Sequence, residues 1–168
     1  MITAMALKID NRGFTLVELL LMSFIIVISL TYVVLFLNPP KKHMQARDEV
    51  RLSDMFSLAR GIEEYYLDKG LLPDTDATLR LSNVLPSGNA GPLQDTTGNG
   101  WIDSDFTGYF TKLFTDPTNT GSLIYKYQRS GSTYELNAVL EGNLEPMQKD
   151  GGNNAGVYEV GSSLTILN

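Results

Sequence analysis

Residues 12–20, Arg12-Gly13-Phe14-Thr15-Leu16-Val17-Glu18-Leu19-Leu20, decide how this chain is read. They open an apolar run over residues 14–37 that carries a single charge, Glu18. At ~1.5 Å rise per residue, a helix of this length matches the ~30 Å hydrocarbon core of a bilayer. A lone carboxylate near its start costs roughly 2.5–3.5 kcal/mol in lipid, so a neutralising partner is expected. Residues 1–13 form a short leader with Lys8, Asp10 and Arg12, one net positive charge. A secretory signal carries its small-residue cleavage site after the apolar run. Here the matching pattern, Gly13 followed by Phe14, stands before it.

Working outward, the chain of 168 residues allows one globular domain plus appendages. Its formal charge is −6, and no basic patch stands out beyond the leader, which argues against a nucleic-acid partner. The one basic cluster, Lys41-Lys42 with His43, follows the apolar run directly. Because both flanks are basic, charge leaves the membrane orientation open. There is no cysteine, so the rest of the chain must hold together without disulfides.

Asn38-Pro39-Pro40 predicts a kink or short break, since proline lacks an amide donor and disfavours helix in the residue before it. Helical periodicity then resumes over residues 38–70: Leu52, Met55, Ala59, Ile62 and Tyr66 form one apolar stripe. Asp48, Glu49, Arg51, Asp54, Arg60 and Glu63 fall on the remaining faces. Gly70 and Pro73 end the helix. Residues 71–114 read as a long loop with one short helix near 78–85. Two strand pairs follow. Residues 123–128 and 134–141 flank a turn at Arg129-Ser130-Gly131-Ser132. Residues 157–160 and 164–167 flank Gly161-Ser162, with a polar loop over 142–156. Helix first and antiparallel strands last define an α+β fold, the apolar helix face packing on a small sheet. The head comprises residues 71–168.

Gly13-Phe14-Thr15-Leu16-Val17-Glu18-Leu19-Leu20, with its charged leader, resembles the prepilin junction of the type IV filament family, the type IV pilins and pseudopilins. Gly100-Trp101-Ile102, Leu113, Asp116-Pro117, Tyr125-Lys126-Tyr127 and Tyr134-Glu135-Leu136-Asn137-Ala138 are similar to the head of the major pseudopilin of type II secretion. Residues 74–99 fall outside the resemblance. The resemblance implies a pilin-like roll and a structural subunit rather than an enzyme. It implies cleavage between Gly13 and Phe14 by a prepilin peptidase, with N-methylation of Phe14. It also implies a single-pass anchor in the inner membrane, with the head outside the cytoplasm until the helix is drawn into a filament. Glu18 would then pair with the methylated amine of Phe14 on a neighbouring subunit. The implied partners are further copies of the chain, other pilin-like subunits, and an inner-membrane assembly platform with its ATPase. Two departures stand out. The run has no proline before Pro39, and the disulfide many major pilins use is impossible here. A type IV pilus for adhesion, motility or DNA uptake is an alternative of the same class, and only DNA uptake would involve nucleic acid. A membrane-anchored binding module that never polymerises is the alternative of another class.

No catalytic set emerges. His43 is the only histidine, in a polar segment, and there is no phosphate loop or nucleophile elbow. Calcium is the one cofactor expected. It takes six to eight oxygens from carboxylates, amides and carbonyls on a turning loop. Asp95-Thr96-Thr97-Gly98-Asn99-Gly100-Trp101-Ile102-Asp103 resembles an EF-hand loop, with Asp95, Asn99 and Asp103 as ligands and Phe106 where a bidentate Glu belongs. The second candidate is the loop with Glu145, Asp150 and Asn153, joined by Asp116. The pseudopilin resemblance, which implies calcium in the C-terminal strand-loop region, favours this second loop.

Overall fold

The structure, a computed structural model, describes residues 13–37 and 39–167. The expected leader, apart from Gly13, and the expected break at Asn38 lie outside the described residues. The chain divides between Pro39 and Pro40 into two units.

In the first unit, α1 (Leu16–Leu37) is apolar all round, and every residue from 13 to 36 is exposed. Such a helix has no face that distinguishes core from solvent, and it suits a bilayer or a bundle of like helices. It is long and apolar enough to cross a membrane. Its polar hydroxyls are satisfied inside the helix: Ser23 Oγ donates to the Leu20 carbonyl and Thr31 Oγ1 to that of Val27, both at 2.8 Å. That removes the cost of carrying them through lipid.

The second unit is entered along α2 (Pro39–Lys69), which begins on proline, whose missing N–H costs nothing in a first turn. It ends where Gly70, at φ +70°, donates its N–H to the Tyr66 carbonyl at 2.9 Å. The buried stripe differs from the expected one. Asp48, Arg51, Met55, Leu58, Ala59 and Ile62 are buried, whereas Leu52 is half-buried and Tyr66 is 40% exposed. The stripe is rotated because its first turns bury charges, which reach inward to ion-pair partners instead of facing water.

A four-stranded antiparallel sheet has the order β1-β2-β3-β4, formed by β1 (Arg80–Leu81), β2 (Lys126–Ser130), β3 (Thr133–Ala138) and β4 (Tyr158–Gly161). Helix and sheet together make an α+β fold. The β2–β3 turn is tighter than expected, two residues between the Ser130–Thr133 pair. Gly131, at φ +61°, takes its first position, the glycine signature of a twist-matched hairpin turn. Met55, Leu58 and Ile62 meet Tyr127 and Leu136 of the sheet in one core.

Two expected elements are corrected. Residues 78–85 hold no helix. Arg80 and Leu81 pair as a strand with Tyr127 and Lys126, and the Arg80 guanidinium is tied to Asp74 and Asp76. Residues 164–167 form no strand, because the N–H groups of Ile166 and Leu167 donate to the Glu135 carboxylate instead of to a neighbouring strand. The expected loop 142–156 also contains a short helix, α3 (Glu145–Lys149), whose Met147 is buried.

The long loop is braced by its own side chains. Trp101, Ile102, Phe106 and Leu113 are fully buried, and Trp101 Nε1 donates to the Phe114 carbonyl at 2.9 Å. Each such burial stabilises by roughly 1.5–3 kcal/mol. Tyr65, Phe106, Phe110 and Phe114 pack in series, tilted or edge-on, at centroid distances of 5.4, 5.2 and 5.8 Å. Gly61 of α2 permits this contact, since a Cβ there would meet the Phe110 ring at 2.0 Å.

Candidate functional site

The residues that carry the prepilin-like junction gather at the start of α1. Thr15 precedes the helix, and its Oγ1 accepts from Glu18 N at 3.2 Å. The Glu18 carboxylate reaches back to Thr15 N at 3.4 Å. This is a reciprocal capping box, Thr-x-x-Glu, in which two otherwise unpaired donors are satisfied. Glu18 therefore has a local partner within its own chain. Phe14 is 68% exposed, and no atom lies within 4 Å of where a Gly13 Cβ would sit.

At the other end of the chemistry lies a charged cluster anchored on α2. Arg51 is fully buried and donates to three carboxylates: Asp116 at 2.6 and 3.1 Å, Glu141 at 2.7 Å and Asp48 at 2.9 Å. Arg47 holds Glu141 from the other side at 2.7 and 2.9 Å. Asp48 in turn accepts from the backbone N–H groups of Glu141, Gly142 and Asn143 at 2.9, 2.7 and 3.0 Å. Asp116 accepts from those of Thr118 and Asn119. Burial lowers the Arg51 pKa, but the hydrogen bonds to Asp116 and Glu141 outweigh it and the net shift is upward. The Arg47 hydrogen bond is foremost in bringing Glu141 down to about 2, with Arg51 adding to it. Every charge here has a partner, so the cluster fixes α2 to the segments after Phe114 and after β3.

The expected calcium ligands are not brought together. Asp116 belongs to the Arg51 cluster. Glu145 pairs with Lys149 at 2.6 Å on the exposed side of α3. Asp150 accepts from the N–H groups of Gly152 and Glu159, both at 2.9 Å, and Asn153 lies exposed on the same loop. In the earlier loop, Asp95 Oδ1 accepts from Thr97 N, Thr97 Oγ1 and Asn99 N at 2.7, 2.8 and 3.3 Å. The Thr97 hydrogen bonds lower its pKa. Asp95 thus shapes a turn, with Asn99 exposed and Asp103 half-buried, while Phe106 is in the core. Among the described residues no three His, Asp or Glu side chains are grouped to hold a metal.

Sequence reasoning missed a second buried polar group, on the sheet face turned away from the core. Glu135 and Asn137 of β3 and Glu159 of β4 are 0%, 3% and 2% exposed. Strand alternation was the available signal: Tyr134, Leu136 and Ala138 point to the core, so Glu135 and Asn137 point the other way. What covers that face could not be read from periodicity.

Comparisons with protein-family models, with curated proteins and with solved structures give no match. The family reading therefore rests on the junction and head residues that carry the resemblance.

Proposed function

We propose that this chain is a structural, non-enzymatic subunit of a type IV-like filament, similar to a major pseudopilin, with a pilin-like roll as its head. One observation carries the reading: a Gly13-Phe14 junction stands at the capped start of an apolar helix that is exposed over residues 16–36 and whose only charge is Glu18. The exposed surface of α1 needs a non-aqueous surrounding, and a bilayer and a core of neighbouring α1 helices both supply one. A prepilin peptidase cuts between Gly13 and Phe14, and Phe14 is then N-methylated. The subunit waits in the inner membrane with its head outside the cytoplasm. An assembly platform and its ATPase then transfer it into a filament with further copies and other pilin-like subunits.

Glu18 changes partner in this scheme. In the single chain it caps its own helix; in the filament it faces the Phe14 amine of a neighbour. Opposite charges in an apolar core offset a desolvation that either would suffer alone, so subunits register where the charges meet. The capping box separates the two roles, because glutamine at this position still caps. Glu18→Gln keeps the helix start and loses the charge pair, whereas Glu18→Ala loses both. Both variants are expected to insert and be processed, with filament yield reduced at least about tenfold. Normal yield from Glu18→Gln contradicts the pairing. Absence of the unmodified chain from sheared filaments favours the anchored binding module instead.

A further inference from the structure

We infer that Glu135 and Glu159 form a buried proton-binding site on the outer face of the sheet. One proton shared by the two carboxyl groups keeps the chain end and the loop before β4 closed over that face. Asn137 sits directly opposite Glu159 in the β3–β4 register, and Glu135 is two residues along on the same face. Each of the three carries one buried oxygen with no hydrogen-bond partner: Glu135 Oε1, Asn137 Oδ1 and Glu159 Oε1. The other carboxylate oxygens are taken by backbone. Glu135 Oε2 accepts from Ile166 N and Leu167 N at 2.6 and 2.9 Å, and Glu159 Oε2 accepts from Asn154 N at 2.9 Å. Three acceptor oxygens are thus left in one buried group without a donor.

A proton supplies that donor without moving the backbone. Protonated at Oε1, Glu159 donates to the Glu135 carboxylate, which lies within its hydrogen-bond reach, and the charge of the pair is halved. Like charges this close in a buried setting do not both ionise readily. Burial is foremost in raising the Glu159 pKa. The Asn154 N–H opposes that rise, whereas the hydrogen bond and charge of Glu135, then the charge of Asp150, add to it. Glu135 accepts rather than donates, since its Oε2 is already held by two N–H groups. Turning the Asn137 amide over would bring N–H groups to the carboxylates, yet would leave their charge unbalanced.

The surrounding elements offer no side chain to balance the second charge. From β2, Lys126 lies across from Asn137 and Gln128 across from Glu135. Gln128 donates to the Ala77 carbonyl, and Lys126 is half-buried and forms no ion pair among the described residues. Tyr158 of β4 packs against the core. Before β4, Asp150 is acidic too, its oxygens taken by Gly152 N and Glu159 N, while Lys149 of α3 pairs with Glu145. Residues 162–167 carry no ionisable side chain. Gly152 packs so closely on Glu159 that a Cβ there would lie 1.9 Å from Oε2, which shields this carboxyl group. Loss of the proton sets two buried carboxylates against each other. The irregular segments tied to them by backbone N–H groups, through Asn154 on one side and Ile166 and Leu167 on the other, then open first. The site belongs to the head and is independent of polymerisation.

The test follows amide hydrogen exchange in the full chain in detergent micelles, from mildly acidic to mildly alkaline pH. Exchange is read by mass spectrometry of peptides and corrected for its intrinsic dependence on pH. Protection over residues 152–157 and 162–167 is expected to fall by up to about tenfold per pH unit while the pair titrates, and then to level off. α2 and residues 101–113 should keep theirs. In Glu159→Gln the amide donates to Glu135 at every pH, so protection should stay high and lose its pH dependence. Glu135→Gln should lose the dependence as well, and Lys126→Gln should keep it. The inference is overturned if protection of both segments is flat with pH in the unmodified chain, or if its fall survives both Glu→Gln variants. It is also overturned if the fall first appears in Lys126→Gln, which assigns the counter-charge to that lysine.

Discussion

Two buried acidic groups in the same head solve the same problem in different ways. Around Arg51, three carboxylates meet two guanidinium groups, and each of the hydrogen bonds between them runs between opposite charges. On the outer face of the sheet, Glu135 and Glu159 meet with no cationic side chain, and their inner oxygens are left without partners. Burial of charge is tolerated only with a counter-charge; the first cluster encodes its own, and the second has none in its own side chains. The contrast also sets opposite signs for substitution. Removing a carboxylate beside Arg51 strands a cation, whereas removing one beside Asn137 relieves a repulsion.

The largest expected effect comes from breaking the first cluster. Asp116→Ala leaves Arg51 buried with two of its five hydrogen bonds gone and also frees the N–H groups of Thr118 and Asn119. A loss of roughly 3–5 kcal/mol is expected, measured by chemical denaturation of the full chain in micelles. A loss below about 1 kcal/mol would mean that the cluster is solvated and that the comparison fails.

The two acidic groups also differ in how they respond to pH. Glu141, held near pKa 2 mainly by Arg47, stabilises the head above the ordinary carboxylate value of 4.5. That contribution is lost as pH falls from 4.5 through about 2. Glu159 has a raised pKa, so its sign is reversed: its ionisation opposes folding, and stability falls as pH rises above the ordinary carboxylate value. Melting temperature should therefore peak at mildly acidic pH and decline on both sides. Glu159→Gln should remove the decline on the alkaline side and keep the acid limb. A profile unchanged by Glu159→Gln contradicts this assignment.

What could be read from sequence was local. The apolar run, the stop at Gly70 and the β2–β3 hairpin are each specified by residues within a few positions of one another. Arg51 was assigned to a polar face because its partners Asp116 and Glu141 lie 65 and 90 residues away. The alternation Tyr134-Glu135-Leu136-Asn137 reads as a strand with one wet face; only the fold brings the chain end across that face and buries it. Residues 80–81 went unrecognised as strand because two residues carry no period, and their extended form depends on Tyr127 and Lys126. The unpartnered oxygens of Glu135, Asn137 and Glu159 lie on strands, where composition gives no cue.

Intact-mass measurement of the form purified from membranes decides whether this chain is processed and stored as a filament subunit. A chain that begins at Phe14 and carries one added methyl group is expected, with processing blocked in a variant bearing a bulkier residue at Gly13. A chain that begins at Met1 or Met5, or one cut after Leu37, overturns the filament reading.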